Sequence, residues 1–390
     1  MEYGTKRQQG LLLTAVVLFW FAQYVYIPFQ TTYLTEREVS EAYIGGILGA
    51  YGIAQLVMRI PVGVMADSIG RHRGFILAGT VAAGLASIIR INMPGGTGFF
   101  IANLFSGFAS AMWISFMVLY TGFFPAAKQQ KATSRIILFN NLGILLGFIS
   151  STYLYKTFGM SFLCLLSLVS AFAGTIIALP LRDTKEKHQQ SGSPLKTLKV
   201  CLNKRLLLFA CLALIQQGIQ MSTTMSFTTQ ILKNLGASSI LIGLSSIVYM
   251  LSAVGFSGLA SFPWFSKKGP AFLIPVVFIL LAFYCFLIPM VTSVPILLFL
   301  QILPGLATGI LFSYLTSEAM KDIAPGVKST AMGFYQAVYA VGMTLVPVFT
   351  GNFVHIHSMR AAYFILAGLA IAGSIIAVSY YHMKTSELYR

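Results

Sequence analysis

Apolar stretches of about 20 residues recur along the chain, and short connectors that carry charge, Pro or Gly separate them. An α-helix of about 20 residues is long enough to cross the hydrocarbon core of a bilayer. The pattern therefore predicts twelve transmembrane helices, at residues 11–33, 43–66, 74–93, 98–120, 135–155, 159–181, 206–230, 239–261, 270–291, 295–317, 330–353 and 360–382.

Composition favours a membrane protein over a soluble one. Hydrophobic residues make up 57% of the 390 residues and charged residues only 9%, whereas about a quarter of the residues in a soluble domain are charged. The net charge is +16, but binding to nucleic acid would require the basic residues to form one patch, and here they are spread over the connectors. We expect the bilayer to be the main solvent and no nucleic-acid partner.

Basic residues predict the orientation of the chain, because connectors rich in Lys and Arg stay in the cytoplasm. If both termini are cytoplasmic, the outer connectors carry only Arg37, Lys156, Lys233 and Arg360. The first apolar stretch follows Lys6 and Arg7 and shows no small-residue cleavage site, so we expect it to be retained as a helix. These features predict a multi-pass protein of the cytoplasmic (inner) membrane.

The longest connector divides the chain into two halves. It is polar and central, and we predict a six-helix bundle at residues 1–181, a cytoplasmic linker at 182–205 and a second six-helix bundle at 206–390. Leu195, Leu198 and Leu202 would share one face of a helix lying on the membrane. A linker without regular structure is the alternative.

An internal repeat supports this division, because features of the first half recur 194 to 198 positions later. The matching pairs include Gln23 with Gln217, Tyr51 with Tyr249, and Gly107 with Gly305. We therefore predict an all-α membrane protein whose twelve helices form two pseudo-symmetric six-helix bundles around a central cavity.

A glycine-rich stretch follows the second predicted helix. The chain reads GVMADSIGRHR from Gly63 to Arg73, and Pro61 precedes it. This stretch resembles the signature loop of the major facilitator superfamily, and the resemblance extends along the chain through the twelve spans, the central connector and a degenerate second copy at 258–268. The resemblance implies a secondary transporter that moves its substrate by alternating access, with the substrate bound between the two bundles.

The residues of this stretch suggest a gate at the cytoplasmic side. Gly63 would let helices approach closely, and Asp67 would face the positive end of helix eleven. Gly70 would permit a tight turn that presents Arg71 and Arg73. A basic turn that only sets topology is the alternative.

The chain departs from the family pattern at two places. Many proton-coupled members carry an Arg in helix four, where this chain has Asn103, and its repeat equivalent in helix ten is Gln301. Antiporters of the family often carry a Gly-Pro pair in helix five, and the stretch 143–148 has no Pro. Both departures make drug/proton exchange less favoured.

Charged residues within or at the ends of the predicted helices offer further roles. Arg59 would bind an anionic group of the substrate or belong to the gate, since it shares a helix face with Gly63 and Asp67. Arg90 is expected to snorkel to the lipid headgroups. Glu318 and Asp322 would form a second gate with Lys267 and Lys268, and a proton relay is the alternative.

Amide, hydroxyl and aromatic groups dominate the predicted helices, because Asp, Glu and His are absent from their central parts. Buried amides require partners, and a ligand is one of them. The predicted substrate-binding residues are Gln23, Tyr24, Gln30, Arg59, Asn103, Trp113, Asn140, Gln217, Gln220, Tyr249, Gln301, Gln336 and Tyr339.

The polar lining favours a small polar organic solute, with an anionic solute left open. The alternative is a proton-coupled exporter of drugs, metabolites or siderophores. We expect no catalytic residues, metal or cofactor, because the deep helices lack convergent nucleophiles, bases and ligands. The expected partners are a small-molecule substrate, the lipid bilayer and, as an open alternative, a co-transported proton or counter-anion, with the chain acting as a monomer.

Overall fold

The computed structural model describes residues 5–183, 198–262 and 268–388. Within these ranges the regular structure is helical. The α-helices are α1 (Lys6–Tyr24), α2 (Ile27–Glu36), α3 (Glu41–Ile69), α4 (Arg73–Asn92), α5 (Gly96–Ala111), α6 (Trp113–Gly122), α7 (Gln129–Ala178), α8 (Lys204–Ser222), α9 (Thr228–Asn234), α10 (Ser239–Leu259), α11 (Pro270–Leu287), α12 (Val294–Leu300), α13 (Ile302–Met320), α14 (Lys328–Ile356) and α15 (Met359–Leu388).

These helices account for the predicted spans. Eleven helical stretches among the described residues are long and apolar enough to cross a bilayer, and one of them, Ala126–Ala178, has 53 residues. At 1.5 Å per residue that stretch is about 80 Å long, more than twice the thickness of a hydrocarbon core. It therefore supplies two spans, and the prediction of an all-α membrane protein with twelve spans is confirmed.

Gly159 divides the long helix α7. Its φ of 74° and ψ of −176° are not helical, and a positive φ is readily adopted only by glycine. The two parts of α7 correspond to the predicted fifth and sixth helices, which were expected at 135–155 and 159–181.

Several spans are interrupted, which the sequence pattern did not predict. The first span consists of α1 and α2, with Pro28 in the first turn of α2. The fourth consists of α5 and α6, which meet at Met112. The seventh contains a π-helical segment, Thr223–Phe227, between α8 and α9. Proline and π-helical turns both interrupt the regular hydrogen-bond ladder of a helix.

Large apolar side chains are exposed along the spans, while many polar ones are buried. Ile53 is 60% exposed, Val57 61% and Phe172 65%, whereas Gln23 is 3% exposed and Asn103 is 2% exposed. A soluble protein would show the opposite pattern. The exposed apolar surface fits lipid as the surrounding solvent.

The chain forms two compact units. The first contains Met1–Ala132, Phe139–Leu206 and Met320–Ala337, and the second contains Thr133–Leu138, Leu207–Ala319 and Val338–Arg390. The first unit therefore includes residues 328–337 of α14. The division into halves at 181 and 206 stays a prediction. Of the linker 182–205, residues 184–197 lie outside the described residues, and Lys199–Leu202 form a short 3-10 helix.

The same contacts recur in the two units at equivalent positions. In the first unit the Tyr51 hydroxyl lies 2.7 Å from Ser110 Oγ, and in the second the Tyr249 hydroxyl lies 3.0 Å from Thr308 Oγ1. Both residues of the second pair follow their counterparts by 198 positions, which is within the predicted offset. These contacts support the internal repeat.

Candidate functional site

The carboxylate of Asp67 caps the first turn of α14. Asp67 Oδ1 accepts a hydrogen bond from the Ser329 amide at 2.9 Å, and Oδ2 accepts one from the Thr330 amide at 2.6 Å. Asp67 is only 8% exposed. A carboxylate suits this position because the first amides of a helix have no partner within the helix and carry partial positive charge. We call these two bonds the Asp67 contact.

Glycines allow α3 and α14 to come close on both sides of this contact. A Cβ atom at Gly63 would lie 2.5 Å from the Ser329 carbonyl oxygen, and one at Gly333 would lie 2.4 Å from the Arg59 carbonyl oxygen. No side chain fits in either space. Gly70 ends α3 with a φ of 65°, as the predicted tight turn requires, and the side chains of Arg71 and Arg73 are exposed.

A second carboxylate, which sequence reasoning missed, caps α4. Asp183 Oδ1 accepts hydrogen bonds from the backbone amides of His72, at 2.6 Å, and Arg73, at 2.9 Å. Asp183 follows the sixth span by a few residues, so it looked like part of the linker. Asp67 and Asp183 therefore each cap the first turn of a helix, Asp67 that of α14 and Asp183 that of α4.

His72 lies in the turn between α3 and α4 and is half-buried. Its Nδ1 is 3.4 Å from Ser115 Oγ. Burial lowers the pKa of His72 from 6.5 to about 4, although the Asp183 carboxylate opposes this shift. The imidazole is therefore neutral in the folded protein at neutral pH.

This depressed pKa predicts a loss of stability in acid. Between about pH 6.5 and pH 4 the unfolded chain binds a proton at His72 that the folded protein does not, so the free energy of unfolding falls as the pH falls, by up to about 3 kcal/mol. Thermal unfolding of wild-type protein and His72→Asn at pH 7 and pH 5 measures this, and the variant should lose less stability. Replacing the exposed His357 with Asn serves as the control; equal losses in all three proteins would contradict the prediction.

The Arg59 guanidinium forms hydrogen bonds with other groups of the protein. Arg59 is 3% exposed, and its guanidinium donates to Gln55 Oε1 and to the backbone carbonyl of Gln336 in α14. Two predicted substrate-binding residues, Arg59 and Gln336, therefore meet inside the first unit, next to Gly333. This position favours the gate among the two roles that the sequence left open for Arg59.

Gln23 and Asn103 are engaged in contacts between helices. Gln23 Nε2 donates to the Ser106 carbonyl at 3.0 Å and to Ser110 Oγ at 3.3 Å. Asn103 Nδ2 donates to the Ile47 carbonyl at 2.8 Å. These bonds tie α1 and α3 to α5.

The expectation that Arg90 snorkels to the headgroups is wrong. Arg90 is 2% exposed, and its Nη2 donates to Asn103 Oδ1 and Ser106 Oγ, both at 2.8 Å. Its guanidinium carbon lies 3.9 Å from the centre of the Tyr26 ring. These neutral partners hold the side chain inside the unit and away from lipid.

Aromatic side chains form a cluster in the first unit. Trp20 lies 5.6 Å from Tyr24 and 5.3 Å from Trp113, measured between ring centres. Trp20 Nε1 and Asn140 Nδ2 are buried donors that have no acceptor among the described residues. Gly143, one turn after Asn140, packs α7 against Trp20, so three predicted residues, Tyr24, Trp113 and Asn140, belong to one region.

In the second unit the predicted residues lie in two hydrogen-bonded groups and at two further positions. Gln220 Nε2 donates to the Tyr249 hydroxyl at 2.5 Å, and Gln301 Nε2 donates to the Tyr284 hydroxyl at 3.3 Å. The Tyr339 ring packs edge-on to Phe312 at 5.7 Å, and Gln217 is buried. Tyr284 was not among the predicted residues, although it lies in a predicted span as Tyr249 does.

The acidic residues of the predicted second gate have other partners. Asp322 pairs with Arg205, while Lys268 lies over the Phe272 ring, so the structure corrects the predicted pairing of Asp322 with Lys268. Glu318 accepts a hydrogen bond from the Tyr381 hydroxyl at 3.1 Å. Lys267 lies outside the described residues.

No cluster of three or more His, Cys, Asp or Glu side chains that could hold a metal ion occurs in the described ranges.

A comparison with known families identifies the chain. A family model described as Major Facilitator Superfamily matches residues 12–229 and 208–388. The chain belongs to the Major Facilitator Superfamily. The resemblance carried by the 63–73 stretch is thereby confirmed, and this superfamily member is a multi-pass secondary transporter, not an enzyme.

Two curated relatives of this superfamily member are also transporters. An MFS-type transporter of Methanocaldococcus jannaschii is 25% identical over 383 residues, which cover 90% of this chain and 92% of the relative. The inner membrane transport protein YajR of Escherichia coli K12 is 25% identical over 196 residues, which cover 49% of this chain and 43% of YajR. The chain therefore matches less than half the length of YajR.

Solved structures of the superfamily share the fold. The human organic anion transporter MFSD10 aligns with a TM-score of 0.82 and 14% identity, over 95% of this chain and 99% of that one. The proton:xylose symporter XylE aligns at 0.74 and 14% identity, over 95% and 94%. The Escherichia coli fucose:proton symporter FucP aligns at 0.76 and 11% identity, over 94% and 97%. At these identities the similarity establishes the fold alone.

Proposed function

We propose that this transporter moves a small polar organic solute across the cytoplasmic membrane by alternating access. It acts as a monomer with both termini in the cytoplasm. The buried donors Trp20 Nε1 and Asn140 Nδ2, which lack an acceptor among the described residues, carry the proposal. An unpaired buried donor costs about 1–3 kcal/mol, and a bound solute with oxygen acceptors would remove that cost.

The aromatic cluster suits such a solute. Tyr24 and Trp113 flank Trp20, and pockets for small molecules commonly combine aromatic walls with a few well-placed polar groups. Of the structural neighbours, XylE and FucP are named as sugar symporters and MFSD10 as an organic anion transporter. Those solutes are polar and rich in oxygen, in agreement with the donors offered here.

The Asp67 contact supports the proposed mechanism. It joins α3 to the first turn of α14, and alternating access requires contacts that form in one state and break in the other. A carboxylate with two backbone amides is suited to this task, because its bonds are strong but few.

Ligand-induced stabilisation and flux test the proposal together. We expect neutral or anionic polar solutes, from a panel of sugars, amino acids and organic acids, to raise the melting temperature of the purified protein, since a ligand stabilises by RT ln(1 + [L]/Kd). Stabilising solutes should also enter proteoliposomes. Trp20→Phe and Asn140→Leu should each weaken the stabilisation about tenfold in apparent Kd.

The exposed amide of Asn92, which donates to the Ile88 carbonyl, offers the matched control. Asn92→Leu should leave the stabilisation unchanged. Stabilisation by lipophilic cations alone would contradict the proposal and favour the proton-coupled exporter.

A further inference from the structure

We propose that Arg90 and Gln30 bind a carboxylate group of the transported solute, at a site inside the first unit that is separate from Arg59. This inference rests on the proposed function and narrows it, because it names the solute class as organic monocarboxylates. Among the described residues, both side chains have buried hydrogen-bond donors without acceptors, and the charge of Arg90 has no counter-charge.

The positive charge of Arg90 is not neutralised within the part of the chain that the structure describes. Its hydrogen-bond acceptors, Asn103 and Ser106, are neutral, and so are the Tyr26 and Phe99 rings that its guanidinium lies over. No described carboxylate pairs with it. A buried charge without a counter-charge carries a desolvation penalty of several kcal/mol, and a bound anion would offset that penalty.

Unused hydrogen-bond donors accompany this charge. Arg90 Nε is buried and has no acceptor among the described residues. Gln30 is 1% exposed, and neither its Nε2 nor its Oε1 has a described partner. Gln30 lies four residues after Tyr26, and the Tyr26 ring contacts Arg90, so the Gln30 side chain follows one helical turn further along the same face.

The second half of the chain offers a comparison for these positions. Within the offset of 194 to 198, Asn103 matches Gln301 and Arg90 matches Tyr284, while Gln30 lies next to Thr31, which matches Thr228. The Tyr284 hydroxyl lies 3.0 Å from Thr228 Oγ1 and accepts from Gln301 Nε2 at 3.3 Å.

The residues around Arg90, the first copy, and those around Tyr284, the second copy, differ in charge and in whether their hydrogen-bonding groups all have partners. The second copy is neutral, and the Tyr284 hydroxyl has polar partners on both sides, with Thr228 also 2.9 Å from the Tyr363 hydroxyl. The first copy holds a cation and donors that are not used. Gln30 lies beside the position that matches Thr228, and an anion bound by Gln30 and Arg90 would complete the first copy as the protein itself completes the second.

A carboxylate matches the donors that remain. The Arg90 Nη2 group donates to Asn103 and Ser106, while Nε–H of Arg90 and the Nε2 amide of Gln30 are buried donors that have no acceptor among the described residues. A carboxylate has two oxygens, one for each donor, and bonds between a guanidinium and a carboxylate are charge-assisted and short. A neutral amide of the same shape would leave the charge unpaired.

Matched acid and amide pairs test the site. The melting temperature of the purified protein is measured in sodium sulfate buffer with lactate, benzoate, lactamide, benzamide or sodium chloride. We expect the two carboxylates to raise the melting temperature, and the amides and chloride to have no such effect. Arg90→Lys and Gln30→Leu should each weaken the apparent Kd for the carboxylates about tenfold or more.

Arg37 provides the control. Its guanidinium also lies over a tyrosine ring, at 4.8 Å from the centre of Tyr33, but its side chain is exposed. Arg37→Gln should keep the full response to carboxylates. If Arg90→Lys does not fold, Gln30→Leu decides the question, because that change retains the buried charge and its neutral partners.

Three results would overturn the inference: no response to either carboxylate, a response to chloride alone, or a response that Arg59→Gln abolishes while Arg90→Lys keeps it. The proposed function fails separately. If sugars or neutral amides stabilise the protein and enter proteoliposomes while carboxylates do not, the site is wrong and the polar-solute transporter stands. If lipophilic cations alone stabilise the protein, both are wrong.

Discussion

Asp67→Ala should release the first turn of α14 and lower the free energy of unfolding by about 2–4 kcal/mol. The two amides that Asp67 now binds, those of Ser329 and Thr330, would be left without acceptors in a buried place. Hydrogen exchange followed by mass spectrometry would measure the effect, as faster exchange in the peptide that contains residues 326–337.

Asp183→Ala is the matched control, because it also removes two carboxylate bonds to the first amides of a helix. It should speed exchange near residues 72–76 and leave 326–337 unchanged. If Asp67→Ala left exchange at 326–337 unchanged, the Asp67 contact would not hold α14, and its proposed role in alternating access would be lost.

Gly107→Ala should destabilise the first unit by about 1–3 kcal/mol, although alanine is a better helix former than glycine. The added Cβ would lie 2.4 Å from the Tyr51 carbonyl oxygen and 2.8 Å from the Ala54 Cβ. The clash would force α3 and α5 apart and disturb the nearby bond between Tyr51 and Ser110. Thermal unfolding of the purified variant measures the loss.

A second glycine in the same pair of helices provides a control, because its replacement by alanine should not lower the melting temperature. A Cβ at Gly49 in α3 would meet nothing within 4 Å, so Gly49→Ala should keep or slightly raise the melting temperature. In the second unit Gly305→Ala, whose Cβ would lie 2.5 Å from the Tyr249 carbonyl oxygen, should act like Gly107→Ala. Equal effects at Gly49 and Gly107 would show that close helix approach is not what these glycines provide.

The twelve spans and the superfamily could be predicted from the sequence, because both depend on local patterns. A lipid environment requires about 20 apolar residues per helix, and the stretch from Gly63 to Arg73 is contiguous. The correspondence of Tyr51 to Tyr249 also followed from the repeat at an offset of 194 to 198 positions, and the hydroxyl groups of both tyrosines have hydroxyl partners, Ser110 and Thr308, that correspond by the same 198 positions.

The side-chain partners could not be predicted, because they depend on which helices and connectors pack against one another. Arg90 looked like a headgroup anchor from its place near a helix end, yet Asn103, on the next helix, holds it inside the unit. Asp183 looked like a linker residue and caps α4. Asp322 forms an ion pair with Arg205, which lies 117 positions earlier in the chain. A pattern along one helix contains no information on which neighbour faces it.

The hydrophobic pattern also could not predict the breaks within spans. An interrupted helix such as α5 and α6 at Met112 buries the same apolar residues as a continuous one, so its periodicity is unchanged. Gly159 is a different case, because it lies between the predicted fifth and sixth spans, and a single glycine between two apolar stretches is a turn signal.

Gly159 also has a consequence for how this protein is made. One residue with a positive φ separates the two parts of α7, so almost no polar chain lies between the fifth and sixth spans. During synthesis there is no loop that could be translocated on its own, and the two spans would have to enter the bilayer together as a hairpin. A bulky residue at position 159 would then reduce the yield of inserted protein more than it would change the melting temperature of the molecules that do insert.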